Sequence, residues 1–127
     1  MSVTTAMTTS FKQELLQGLH DLDGHTLKLA LIKSSESGTY NATSTNYSDI
    51  TGNSDEASGT GYSSGGATLG SVLIDTSGTT AFVDFADVEF TSSTISASGA
   101  MIYNSSAGDR AIAVISFGGT VASTAGT

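Results

Sequence analysis

The chain has no cysteine, no proline and no tryptophan among its 127 residues. Without cysteine there is no disulfide framework, no thiolate nucleophile and no sulfur ligand, and the redox compartment leaves no trace. Basic residues are scarce: 4 lysines and arginines stand against 12 aspartates and glutamates, a net charge of −8. That balance opposes approach to a phosphate backbone or an anionic membrane surface, so neither nucleic acid nor membrane is expected as a partner. Long apolar runs are also missing. The longest, Ala111 to Ile115, is far too short to span a bilayer, and the start MSVTTAMTTS lacks the basic segment and apolar core of a secretory signal. A soluble protein made in the cytoplasm is the expectation.

Serine, threonine and glycine dominate what is present, and a chain of short alternating segments joined by many turns is what an all-β domain requires. The length suits one domain. Its clearest element is GAMIYNSSAGDRAIAVISF, Gly99 to Phe117, two apolar strands around the polar turn Asn104 to Gly108. Ala111, Ala113, Ile115 and Phe117 alternate with Ile112 and Val114, so both faces are largely apolar, which suits a central strand or one covered by a subunit.

Near the start, Phe11, Leu15, Leu19 and Leu22 recur at helical spacing behind Ser10, with Gln13 placed for a capping box and Gly24 for a left-handed stop. One short amphipathic helix over about Phe11 to Leu22 is therefore expected. Further strands are predicted at Thr26 to Ile32, Thr68 to Asp75, Thr80 to Phe90, Ile95 to Asn104 and Arg110 to Phe117. In TAFVDFADVEF the alternation changes phase, which predicts a bulge or corner near Ala86. Between Ser34 and Gly66 lies a polar excursion carrying Tyr40, Tyr47 and Tyr62, with one short strand expected near Tyr47 to Thr51. The division is a flexible segment 1–9, a single β-rich domain 10–117, and a flexible tail or arm 118–127. No internal repeat is visible.

Catalytic signals are thin. Gly61-Tyr62-Ser63-Ser64-Gly65 fits the G-x-S-x-G elbow of serine hydrolases, but the following GATLGSVLI reads as strand where the elbow needs a helix. His20, Asp21, Asp23 and His25 straddle a helix end without a familiar zinc spacing, and a solvated helix terminus explains them. Asp87 and Glu89 share the outward face of a strand, where two carboxylates serve equally well to discourage edge pairing. Asn41, Asn46 and Asn104 begin glycosylation acceptor patterns that imply nothing without a secretory signal. The expectation is a protein that is not an enzyme, with no metal and no cofactor. Phe11, Leu15, Leu19, Leu22, Tyr40, Tyr47, Tyr62 and the single arginine, Arg110, are candidate interface residues. Tyrosines packed under their own loop and a surface ion pair are the plainer alternatives.

The order FKQELLQGLHDL, TLKLALI, SGTGYSSGGATL, TTAFVDFADVEF, GAMIYNSS and RAIAVISFG resembles a group of small virion proteins of tailed bacteriophages, over about residues 10 to 126. The resemblance implies a structural particle component, a homo-oligomeric decoration or cement protein bound to the major capsid protein on the capsid exterior. The acidic charge agrees with a position away from the packaged DNA. Proteins of this kind continue past the TAGT-like segment into another apolar strand, which implies an open edge on the last sheet here. A tail or fibre component, with host carbohydrate recognised through Tyr40, Tyr47 and Tyr62, is the alternative. The architecture expected is an antiparallel β-sandwich or jelly-roll-like domain with the one N-terminal helix.

Overall fold

Residues 2–127 are described by a computed structural model, and Met1, part of the expected 1–9 segment, lies outside them. Strands β1 (Ser2–Val3) and β2 (Ala6–Met7) lead into helix α1 (Thr9–Leu16). Then come β3 (Leu27–Lys33), β4 (Thr39–Tyr40), the short helix α2 (Ser48–Gly52), β5 (Ala67–Thr68), β6 (Leu73–Ser77), β7 (Thr80–Asp84), β8 (Ser93–Asn104) and β9 (Arg110–Gly126). The fold is mainly β, 45% strand and 13% helix, and β-sandwich-like. Its centre is a five-stranded antiparallel sheet in the order β2-β9-β8-β3-β5. β1 pairs with β4 in parallel, and β6 and β7 form a separate hairpin.

The predicted hairpin is the spine of this sheet. Its turn is a 3-10 segment, Ser105–Ala107: the Asn104 side chain accepts from the Ser106 N–H at 3.0 Å, and Gly108 closes the turn at φ +68°. Register then sorts the side chains. Ala30 lies opposite Met101 and Met101 opposite Val114, so these three share one face, with Ile32, Tyr103 and Ala111 in the same cluster. Tyr40 and Ile50 from the polar excursion cover them, both fully buried. On the opposite face Leu27, Leu29 and Leu31 line up with Ile102, Ala100, Ala113 and Ile115, and Phe11 of α1 caps one end against Leu27 and Ile112. Each fully buried side chain of this size contributes roughly 1.5–3 kcal/mol by leaving water. With both faces covered near the turn, β8 and β9 are central strands.

Several expected boundaries are corrected. Helix α1 starts earlier and stops sooner than Phe11 to Leu22, because Thr8 rather than Ser10 is its cap, accepting from the Phe11 N–H at 3.2 Å. Gly18, at φ +75°, takes the left-handed stop assigned to Gly24. Leu19 and Leu22 therefore lie beyond the helix, and the apolar stripe is cut short. No strand forms near Tyr47 to Thr51; α2 occupies that stretch, with Asp49 Oδ2 accepting the Thr45 N–H at 2.8 Å and tightening its first turn. Thr68 to Asp75 divides between β5 and β6. The phase change near Ala86 is the place where the chain leaves the sheet rather than a bulge within it: β7 ends at Asp84, and the Ala86 N–H bonds the Gly70 carbonyl at 2.9 Å. Residues 118–126, expected as a tail, continue β9, with Val121 opposite Ala97 and Ser123 opposite Ile95. The 2–9 segment likewise forms β1, β2 and the start of α1, with Met7 paired to Ala113.

Candidate interaction surfaces

The excursion 34–66 is tied down by two adjacent carboxylates that sequence reasoning passed over. Asp55, fully buried, accepts from the Tyr40 hydroxyl at 2.6 Å and from the N–H groups of Ser37 and Gly38 at 2.8 Å each. Burial alone would raise its pKa, but these donors outweigh burial and hold the carboxyl below the ordinary aspartate value. Glu56, next in sequence, accepts from the hydroxyls of Tyr47 and Tyr62 at 2.6 Å each and from the Gly65 N–H at 2.8 Å. Burial, reinforced by these carboxylate partners, pushes Tyr40 and Tyr62 well above the usual phenol range and raises Tyr47 in the same direction. The signal available in sequence was the coincidence of three tyrosines with the pair Asp55-Glu56 in one polar stretch.

The tyrosine expectation is thereby corrected for Tyr40, which is a core residue. Tyr47 and Tyr62 are half-buried. Tyr47 stacks on Tyr103 with ring centroids 4.5 Å apart and 9° between planes, and Tyr62 leans on Phe90 at 5.4 Å. Tyr62 also accepts the Leu31 N–H at 3.0 Å, finishing the edge of β3. Three phenols committed to their own loop leave little for stacking on sugar.

Of the proposed helix face, Phe11 is buried, Leu22 is half-buried, and Leu15 and Leu19 are 46% and 37% exposed. The four do not form one presented stripe, and Leu16, which was not singled out, is 91% exposed. Arg110 pairs with Glu14 Oε2 at 2.9 Å, and Glu14 Oε1 meets His20 Nε2 at 3.0 Å. His20 is buried against the edge of the Phe11 ring, and Nδ1 of both His20 and His25 lies within 3.0 Å of the Asn104 amide nitrogen. His20 and His25 are thus a polar stitch joining the segment after α1 to the end of β8, while Asp21 and Asp23 remain exposed as a solvated terminus would have them. Among the described residues no group of three or more His, Cys, Asp or Glu is placed to hold a metal ion. Ser63 lies in the loop before β5 rather than at a strand-to-helix elbow, and both histidines are engaged with Asn104. Asp87 and Glu89 lie in the irregular stretch after β7 rather than on a strand.

Two apolar surfaces were not anticipated as such. The first is a groove of about 530 Å³ on the same face of the sheet as α1, beyond the end that Phe11 covers. Leu31, Ile102 and Ile115 form its floor, Phe85 and Phe90 one wall, and Phe117 and Val121 the other. Phe117 and Val121 are 38% and 56% exposed, so the sheet's apolar face runs out into solvent at this end. The second is the β6–β7 hairpin, whose strand side chains are exposed apart from half-buried Val83. Its register puts Ile74 opposite Val83 and Thr76 opposite Ala81 on one face, which carries no charge; Asp75 and Asp84 occupy the other with Leu73 and Phe82. It springs from the rim of the groove, since Leu69 and Phe85 at its base line the cavity. No family model matches the chain, and no curated protein or solved structure does so either.

Proposed function

We propose that this chain is a structural virion protein of a tailed bacteriophage, binding the outside of the capsid as a homo-oligomeric decoration or cement protein that stabilises the shell. The observation that carries the reading is the contrast between a fully satisfied interior and an unsatisfied apolar exterior. Among the described residues no buried side-chain nitrogen or oxygen lacks a hydrogen-bond partner, so the interior is internally satisfied. Yet the groove and the β6–β7 hairpin leave Ile74, Phe82, Phe117 and Val121 in water. Apolar surface exposed in contiguous patches marks protein contact. Resemblance of the sequence blocks to small phage virion proteins supplies the kind of partner, and the net charge of −8 favours the wall facing away from DNA.

A protein that binds the assembled shell and not its free subunits raises shell stability by mass action. The test is to add purified protein to capsids that lack it and follow both occupancy and the temperature of heat disruption. Saturation in proportion to the shell lattice, with a higher disruption temperature, supports the reading. Binding confined to the tail would favour the tail or fibre alternative, and absence of binding would overturn the proposal.

A further inference from the structure

We propose that the apolar groove is filled by the β6–β7 hairpin of a second copy of this chain. The groove asks for a strand rather than a small apolar molecule. Beyond Ser116, whose N–H bonds Thr5 Oγ1 at 2.9 Å, no strand pairs with the outer side of β9 among the described residues. This free edge forms one wall, through Val121, Ala122 and Ser123. An occupant therefore meets apolar side chains and unpaired main-chain groups together, the combination that receives an added β-strand.

The chain itself presents such an element. An isolated two-stranded hairpin is marginal in water without a surface to pack on, and the face bearing Ile74, Val83, Ala81 and Thr76 has no charge to bury. Both carboxylates are turned to the opposite face, where they remain in solvent when the uncharged face is seated. In a reciprocal dimer each copy contributes both its hairpin strands and its groove lining, which together fall within the roughly 20–30 residues per side of a standard stable interface. One docking operation thus covers the groove and the uncharged face of the hairpin, while Leu73 and Phe82 stay on the outer face with the carboxylates. Because donor and acceptor surfaces lie on one chain, repetition gives a reciprocal dimer, a closed ring where the rotation closes, or an open filament where it does not.

This inference deepens the homo-oligomeric part of the proposed function and is separable from shell binding: its failure removes self-association and leaves shell binding open, and failure of shell binding leaves it intact. Sedimentation equilibrium on the full chain should show self-association. Ile74→Asp on the hairpin and Val121→Asp on the groove wall should each weaken it at least about tenfold. Both side chains are about half exposed in the single chain, so circular dichroism and cooperative melting should be unchanged. Thr51→Asp, exposed on α2, should leave association untouched. The cysteine-free sequence permits a direct contact test: mixing differently tagged Ile74→Cys and Val121→Cys chains with a short bis-maleimide should yield the mixed dimer. A monomer at every concentration, or an oligomer indifferent to both aspartate substitutions, would overturn the proposal. So would a monomer whose capsid binding is lost in Ile74→Asp, because the hairpin would then belong to the shell subunit.

Discussion

Tyr40 donates its hydroxyl proton to Asp55 Oδ2 across 2.6 Å with both side chains fully out of solvent. This contact fixes the polar excursion onto the sheet. It places a phenol among the core residues Ala30, Ile32 and Met101, and a carboxylate at the start of the turn Ser37–Gly38. A buried carboxylate is tolerated here because main-chain and phenolic donors together satisfy its oxygens.

Asp55→Ala should destabilise the protein by about 3 kcal/mol, since it strands the buried Tyr40 hydroxyl and removes the acceptor of two part-buried N–H groups, and Tyr40→Phe by about 2 kcal/mol. Urea unfolding followed by circular dichroism measures both.

The depressed acidity of Asp55 gives a signed pH dependence. A folded-state pKa below the unfolded one contributes stability that is complete above the unfolded value, about 3.9, and is lost as pH falls through the folded value. The difference in urea midpoint between the wild type and Asp55→Asn should therefore be largest near neutrality and shrink below about pH 4. A gap that widens in acid would contradict the assignment.

Glu56 ties the Tyr47 and Tyr62 hydroxyls to the Gly65 N–H. Glu56→Ala should raise amide hydrogen exchange across 57–66 while β8 and β9 near the Ser105–Ala107 turn keep their protection, because that part of the sheet is paired independently. Uniform loss of protection would mean that the loop and the sheet unfold as one unit.

Gly66 sits at φ +86°, and a Cβ there would collide with the main-chain oxygen and carbon of Leu29. Both the backbone conformation and the space forbid a side chain, so Gly66→Ala should cost more than about 3 kcal/mol and lower the yield of folded protein. Gly52→Ala, where nothing lies near the added atom and φ is ordinary, is the matched control and should be nearly neutral.

The parts of this fold that local pattern encodes were legible in the sequence. Apolar runs on both sides of a polar turn identified the central hairpin, and Leu27, Leu29 and Leu31 identified β3; strict alternation set Ala111 with Ala113 and Ile115, whereas a register shift between Ile102 and Tyr103 puts it on the face of Val114. Where tertiary contact decides, the reading failed for physical reasons. Phe117-Gly118-Gly119-Thr120 looks like a linker. Yet register passes from Gly99 opposite Ser116 to Ala97 opposite Val121, so these four residues bulge out and β9 resumes beyond them. The helix was drawn too long because Leu19 and Leu22 keep helical spacing past Gly18. Tyr40, Tyr47 and Tyr62 pack under their own loop, the plainer of the two sequence readings, but their acceptors Asp55 and Glu56 were not foreseen, because they become neighbours only when the excursion folds back on the sheet. The hairpin β6–β7 was visible as two strands, but its solvent exposure on both faces was not, since alternation shows which residues share a face and not whether anything covers it.

The central claim is location on the capsid exterior, and imaging of the particle tests it most directly. A reconstruction of particles carrying this chain with a dense label at its C-terminus should show added density repeated over the outer surface of the capsid lattice. Label found at the tail, or absent from the outer shell, would contradict the account.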